Sequence, residues 1–166
     1  VEPAPQPQAG PVEQTPKTTR ARAQVIAETP RVDIRTPSLS GSINLKGARI
    51  DDLVLVKERQ TIEEDSQPVR LLSPAGTPGA YFASFGWTGE GVPVPGPDSQ
   101  WAASSAVLAP GRPVTLSWSN ATGQTFLIGI AVDRDYLFTV TQRVENRGSA
   151  PVTVRPYGLI NRAQES

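Results

Sequence analysis

Residues 135–160 read DYLFTVTQRVENRGSAPVTVRPYGLI, and they alternate apolar and polar side chains on both sides of a turn that contains glycine. One face before the turn carries Tyr136, Phe138, Val140 and Val144, and the other carries Thr139, Thr141, Arg143 and Glu145. Successive side chains of a strand point to opposite faces, so this period of two predicts a strand with one buried face. Residues 152–160 follow the turn and predict a second, antiparallel strand.

The same alternation extends upstream of this segment. One predicted strand buries Val114, Leu116 and Trp118, and the next buries Phe126, Ile128, Ile130 and Val132. The connections at residues 120–123 and 133–135 are short, so the four strands are expected to form an antiparallel meander. Shifting any of them by one residue would invert its faces, which makes their register strongly specified.

Earlier residues predict further strands and little helix. Val32 and Ile34 alternate with polar neighbours, and one face of the next strand carries Leu39, Gly41, Ile43 and Leu45, with Ser40, Ser42, Asn44 and Lys46 on the other. Residues 49–56 fit either a short helix or a strand, and their short, β-branched run favours a strand. Residues 57–68 are charged and are expected to form a loop. The predicted fold class is all-β, an antiparallel β-sandwich.

The first thirty residues differ in composition from the rest. They are rich in Pro, Gln, Thr and Ala and contain no aromatic residue. Such a segment buries too little apolar surface to offset the entropy that it loses on ordering. We therefore predict a disordered, Pro-rich linker at residues 1–30 and one folded domain at residues 31–166.

Composition excludes several classes of function. The 16 basic and 16 acidic residues cancel, which argues against a nucleic-acid partner. The chain has no cysteine and no histidine, so it lacks a disulfide framework, thiolate or imidazole metal ligands and a Ser-His-Asp triad. Asp133 and Asp135 lack the further oxygen ligands of a calcium loop and are expected to form a solvated turn. We predict no catalytic residue, no metal and no cofactor.

The aromatic residues beside the Pro/Gly-rich stretch are the candidate site. Tyr81, Phe82, Phe85 and Trp87 precede that stretch, and Trp101 follows it. Aromatic side chains next to a long loop can line a groove or a partner surface, and Tyr81, Phe85, Trp87 and Trp101 are the candidates. The other interpretation is that these side chains pack the core beneath the loop.

Three segments in this order resemble a known family: VDIRTPSLSGSINLKGARIDDLVLV (32–56), PVRLLSPAGTPGAYFASFGW (68–87) and DRDYLFTVTQRVENRGSAPVTVRPYGLINR (133–162). They are similar to the periplasmic domain of the YidC/Oxa1/Alb3 family of membrane protein insertases, and most similar to its alphaproteobacterial members. The resemblance spans about residues 31 to 162 and depends on the ordered set of segments rather than on one motif.

The resemblance implies a β-supersandwich, similar to sugar-mutarotase folds, on the periplasmic face of the bacterial inner membrane. It also implies a role in inserting and folding membrane proteins, with the Sec translocon and the SecDF accessory proteins as partners. Nascent membrane proteins would be engaged by transmembrane helices that these 166 residues lack, so no insertase residue is carried onto this chain. We expect an apolar span before Val1, and further strands and several spans after Ser166.

Two hypotheses follow. The first is a non-enzymatic periplasmic module of an insertase that acts as a scaffold or partner-binding surface. The second is a carbohydrate- or peptide-binding β-sandwich, suggested by the aromatic group and the mutarotase-like fold. Because a sandwich that stops halfway exposes strand edges, we also expect the strand at residues 152–160 to lack a neighbour.

Overall fold

The structure is a computed structural model that describes residues 20–59, 62 and 67–163. Its elements are α1 (Arg22–Ala27), β1 (Arg31–Arg35), β2 (Leu39–Asn44), β3 (Arg49–Arg59), β4 (Pro68–Leu72), β5 (Tyr81–Gly89), β6 (Ala102–Ala103), β7 (Val107–Leu108), β8 (Val114–Ser119), β9 (Gln124–Val132), β10 (Phe138–Asn146) and β11 (Val154–Arg162). The prediction of an all-β sandwich is confirmed.

The strands form two sheets. The first sheet has the order β11-β5-β3-β2-β1-β7, with β4 also paired to β3, and the second has the order β10-β9-β8-β6. Neighbouring strands are antiparallel except for β1 and β7, where a short parallel pairing places Asp33 opposite Val107. The predicted meander of β8, β9 and β10 is present, with Val114 opposite Ile130 and Val140 opposite the same residue on its other side.

The core lies between the two sheets and is built from the predicted apolar faces. β9 alternates buried and half-buried positions along its whole length, as its sequence period indicates. The fully buried side chains of both sheets include Val32, Ile34, Leu39, Ile43, Leu116, Phe126, Ile128 and Ile130. Burial of each large apolar side chain contributes about 1.5–3 kcal/mol, so this face-to-face packing is the main stabilising term.

The partner predicted for the fourth strand of the meander is wrong. β11 does not return along β10; it crosses to the first sheet and pairs with β5 over nine residues, from Val154 opposite Gly89 to Arg162 opposite Tyr81. The turn after β10 is nevertheless local: Asn146 Oδ1 accepts from the Gly148 amide at 2.9 Å, and its Nδ2 donates to the Ala150 carbonyl at 2.9 Å. A local turn and a period of two do not specify which sheet receives the next strand.

The last residues of the predicted linker include a short helix. Residues 22–27 form α1, and the Arg20 amide donates to the Gly76 carbonyl at 3.1 Å. Six helical residues are too few to be stable alone, so contacts with the sheet must hold the helix. Residues 1–19 of the predicted linker lie outside the described residues.

The polar side of β2 is only partly exposed to water: Ser40 is exposed, but the residues nearer the end of the strand are not. Ser42 and Asn44 are buried, because their side chains bond to carboxylates of β3. The loop predicted at residues 57–68 starts later than expected, because β3 continues to Arg59. Most of the remaining residues of that predicted loop lie outside the described residues.

Candidate functional surfaces

A buried ion pair lies beside the polar side chains of β2. Arg31 Nη1 donates to Asp51 Oδ1 at 2.6 Å, and Arg31 Nη2 donates to Asp51 Oδ2 at 3.3 Å. The two side chains are only 7% and 1% exposed. β1 and β3 are not adjacent, and β2 lies between them, so the pair spans three strands of the sheet.

Polar neighbours add further hydrogen bonds to both members of this pair. Asn44 Nδ2 donates to Asp51 Oδ2 at 3.4 Å, and Arg31 also donates to Ser42 Oγ at 3.2 Å. Ser42 in turn donates to Asp52 Oδ2 at 2.8 Å. The buried charges are therefore hydrogen-bonded, which is the condition for tolerating charge away from water.

Burial raises the pKa of Asp51 above its ordinary value, because the ionised carboxylate loses its hydration. The hydrogen bond and the charge of Arg31, followed by the hydrogen bond of Asn44, oppose that rise, while the neighbouring Asp52 adds to it. The Arg31 guanidinium therefore stabilises the ionised form of Asp51, which burial disfavours.

The same network attaches the N-terminal segment to the sandwich. Arg31 Nε donates to the Ile26 carbonyl at 3.1 Å, next to the end of α1. Arg22, at the start of α1, donates through Nη2 to Ser73 Oγ at 3.0 Å. With the Arg20 amide bonded to Gly76, the segment is joined to the domain at three separate points. This site was not predicted from the sequence, although Arg31 and the Asp51-Asp52 pair are charged residues within predicted strands.

Two of the four candidate aromatic residues lie in the core. Trp87 and Trp101 are 3% and 5% exposed and stack with their ring centroids 6.1 Å apart. Trp87 also meets Phe126 edge-on at 5.1 Å. The indole N–H of Trp101 is buried and has no partner among the described residues.

The other two candidates lie near the surface but do not form a common groove. Phe85 is half-buried and lines a small cavity of about 50 Å³ together with Trp101 and Tyr157. Tyr81 is 40% exposed at the far end of β5 and lines a different, larger cavity. The structure thus brings Phe85 and Trp101 together and separates Tyr81 from them.

An exposed apolar strand was not anticipated as a site. β11 pairs with β5 on one side only in the described part of the chain. Its side chains Tyr157, Leu159 and Ile160 are large, apolar and exposed, Leu159 by 53% and Ile160 by 65%. We call these three residues and the free side of the strand the β11 edge. Unpaired backbone groups beside exposed apolar side chains form a surface on which another strand can add.

The acidic residues Asp133 and Asp135 lie in an exposed turn. Asp133 Oδ1 accepts from the amides of Asp135 and Leu137 at 2.9 and 3.0 Å, so the Asp133–Asp135 segment is the exposed turn that we predicted.

Across residues 20–59, 62 and 67–163, no group of three or more His, Cys, Asp or Glu side chains is placed to hold a metal ion. In the same residues, no helix has the length and hydropathy needed to cross a bilayer.

Comparison with known proteins identifies the relatives of this chain. The family described as the YidC periplasmic domain matches residues 31–166. Proteins named membrane protein insertase YidC are 53% identical in Zymomonas mobilis over 138 residues, 51% identical in Acidiphilium cryptum over 143 and 50% identical in Ruegeria pomeroyi over 141. These alignments cover 83%, 84% and 82% of this chain, but only 24%, 24% and 23% of the relatives. The chain therefore spans about a quarter of their length, and the resemblance to alphaproteobacterial members is confirmed.

Proposed function

The chain belongs to the YidC periplasmic domain family, and on that basis we propose that it is a non-catalytic, partner-binding scaffold of a membrane protein insertase. In this proposal it lies on the periplasmic face of the bacterial inner membrane. The rest of the longer protein would supply the membrane-spanning helices that insert substrates. The domain would assist insertion and folding of inner-membrane proteins through contacts on its surface.

The β11 edge carries this proposal. An edge strand with Tyr157, Leu159 and Ile160 exposed presents backbone hydrogen-bonding groups and apolar side chains together. A partner segment that adds as a strand would pair with the backbone groups and cover the apolar side chains. The two faces of β11 also differ, because Tyr157 and Leu159 point one way and Ile160 points the other, so the alternation of the added segment would determine specificity.

The attachment of the N-terminal segment supports a scaffold role. The buried Arg31–Asp51 pair and the Arg22–Ser73 hydrogen bond hold α1 on the sandwich. A domain joined rigidly to the segment that precedes it has a defined orientation relative to whatever that segment is attached to. That geometry suits a module that presents one edge to a partner.

The partners that we propose are the Sec translocon and the SecDF accessory proteins, as the family resemblance implies. A site-specific test places a photo-crosslinking amino acid at Leu159 in the full-length protein in native membranes. We expect a cross-link from Leu159 to a subunit of the Sec machinery. The matched control is the same amino acid at Arg35, which is exposed on β1 at the other side of the first sheet.

Two results would contradict the partner-binding role of the β11 edge. One is cross-linking from Leu159 only within its own polypeptide, which would show that the chain itself covers the strand. The other is equal cross-linking to the Sec machinery from Leu159 and Arg35, which would show contact without a preferred surface.

The alternative of a carbohydrate-binding module has weaker support. Sugar-binding proteins commonly place an exposed aromatic ring against the sugar, and Trp87 and Trp101 are stacked inside the core instead. A sugar array that detects a ligand, with binding lost on Tyr81→Ala, would favour this alternative over the scaffold.

A further inference from the structure

A surface cavity at the end of β11, beyond the three residues of the β11 edge, is lined by arginine residues from three elements. Its volume is about 480 Å³, and its walls include Arg22 of α1, Arg70 of β4 and Arg162 of β11. The hydroxyl-bearing residues Ser73 and Tyr81 complete the polar lining. We call this cavity the arginine pocket. Because its three cations are far apart in sequence, only the tertiary fold brings them together.

Within the described part of the chain, positive charge exceeds negative charge around the arginine pocket. Among the described residues, Asp52 is the one carboxylate that bonds to any of the three arginines, and its Oδ1 accepts from Arg70 Nη1 at 2.9 Å. Counting the described residues alone, three guanidinium groups and one bonded carboxylate leave two uncompensated positive charges around the cavity. Like charges held close together cost free energy, which an anion between them would offset.

Arg22 also has a hydrogen-bond donor without an acceptor among the described residues. Its Nη2 donates to Ser73 Oγ, but its Nε is buried and has no hydrogen-bond partner among the described residues. Burial lowers the pKa of Arg22, and the charge of Arg70 lowers it further, while Asp52 opposes both effects. A buried donor without an acceptor is costly, and a ligand that bonds to the Arg22 guanidinium would offset part of that cost.

We propose that the arginine pocket binds a phosphate group. Guanidinium groups offer forked pairs of donors that match phosphate oxygens. A phosphate group is tetrahedral and presents oxygens in several directions, so it can accept from arginines that approach from three different elements. A planar carboxylate offers only two oxygens in one plane. The cavity also has room for a phosphate group together with part of the molecule that carries it.

The test titrates inorganic phosphate into the full chain at constant ionic strength and measures binding by calorimetry. We expect saturable binding to the unsubstituted chain. Arg22→Gln and Arg162→Gln should each weaken that binding about tenfold, the usual effect of losing one charge-assisted hydrogen bond. The matched control is Arg143→Gln, which removes the same charge from an exposed site on β10 in the other sheet and should leave binding unchanged.

Three outcomes would overturn the proposal: no saturable binding of phosphate, acetate binding as tight as phosphate, or an equal loss in Arg143→Gln. If Arg22→Gln loosens α1 and alters the fold, Arg162→Gln decides the matter alone, because Arg162 is exposed near the end of β11. Tryptophan fluorescence from the buried Trp87 and Trp101 reports whether each variant retains the native core.

A second arm distinguishes a lipid headgroup from a free phosphate compound. The chain is mixed with vesicles of phosphatidylglycerol or phosphatidylcholine, and binding is measured by flotation. Binding to phosphatidylglycerol that inorganic phosphate and Arg162→Gln both reduce supports the proposal, with a lipid as the source. Phosphate binding without vesicle binding supports it with a soluble phosphate compound instead. Neither result depends on the β11 edge, so the scaffold proposal and the phosphate site can fail independently.

Discussion

Arg31 and Asp51 form a hydrogen-bonded ion pair, 2.6 Å from Nη1 to Oδ1, in which both side chains are almost completely removed from solvent. The pair joins β1 to β3 across β2, and the same guanidinium donates to the Ile26 carbonyl in the last turn of α1. Burial nevertheless raises the pKa of Asp51, so desolvation of the carboxylate outweighs its attraction to Arg31. The same guanidinium thus links α1 to the sheet in addition to its pairing with Asp51.

Arg31→Met should destabilise the domain by about 3–5 kcal/mol at neutral pH, because it leaves the Asp51 carboxylate buried without its cation. Removing Arg31 raises the pKa of Asp51 further above its unfolded value. The loss of stability is therefore full at pH values above the raised pKa of Asp51 in the folded state. It shrinks as pH falls toward the pKa of Asp51 in the unfolded state. Urea denaturation at several pH values measures it, and Arg35→Met, at an exposed position of the same strand, should cost little at any pH. A cost that is independent of pH would contradict this role of Arg31.

Asp51→Asn tests the direction of the pKa shift in the unsubstituted protein. The folded state holds the Asp51 proton more tightly than the unfolded state does, so the contribution of Asp51 to stability declines as pH rises from about 4 toward neutral. Asparagine does not titrate and keeps an oxygen acceptor for Arg31. The free energy of unfolding of Asp51→Asn should therefore improve relative to the unsubstituted protein as pH rises. The opposite trend would mean that the attraction to Arg31 exceeds the cost of burial.

Trp87→Ala should destabilise the domain by about 3–5 kcal/mol, because it opens a cavity where Trp101 and Phe126 now contact the indole ring. Tyr81→Ala removes an aromatic side chain from the same strand, but at an exposed position, and should cost less than about 1 kcal/mol. Chemical denaturation of both variants measures the difference. Similar costs would mean that Trp87 is not a core residue.

Gly41→Ala should disrupt the pairing of β2 with β3, because the added Cβ would overlap the backbone carbonyl oxygen of Asp52. Backbone atoms cannot move aside as a side chain can, so we expect a cost of about 1–3 kcal/mol or more. Gly96→Ala is the control, since nothing lies within 4 Å of the Cβ that it would add. Thermal unfolding compares the two, and an unchanged melting temperature for Gly41→Ala would contradict the close approach of β2 and β3.

The β11 edge should make the 166-residue chain self-associate, because exposed apolar side chains and unpaired strand groups favour pairing between copies. Replacing Leu159 and Ile160 together by lysine should shift the population toward monomer in sedimentation experiments. The matched control replaces Thr139 and Thr141 by lysine on the wet face of β10. If that control dissociates the chain equally, association depends on net charge rather than on the β11 edge.

Much of the fold follows from the sequence alone. The period of two at residues 114–118, 126–132 and 138–144 predicts three strands and their buried faces, and the structure confirms them. The ordered segments likewise identify the family. Local alternation is sufficient here because it reports directly which side of a strand is apolar.

The candidate sites were less predictable, because they depend on which elements meet in space. The aromatic spacing from Tyr81 to Trp101 fits both a groove and a core, and only the position of the second sheet places Trp87 and Trp101 between the layers. Ser42 and Asn44 on the polar side of β2 are buried where Asp51 and Asp52 lie beside them, and the period in the sequence of β2 does not indicate those neighbours.

By itself, the sequence determined the strand pattern, the all-β class, the absence of cysteine and histidine, and the family. Only the tertiary structure decided that β11 leaves the meander for β5, that Arg31 meets Asp51, and that Arg22, Arg70 and Arg162 share one cavity. The physical reason is the range of the interactions involved. Alternation and turn chemistry act between residues close in the chain, whereas these contacts join residues separated by 20 or more positions and exist only after the sheets have formed.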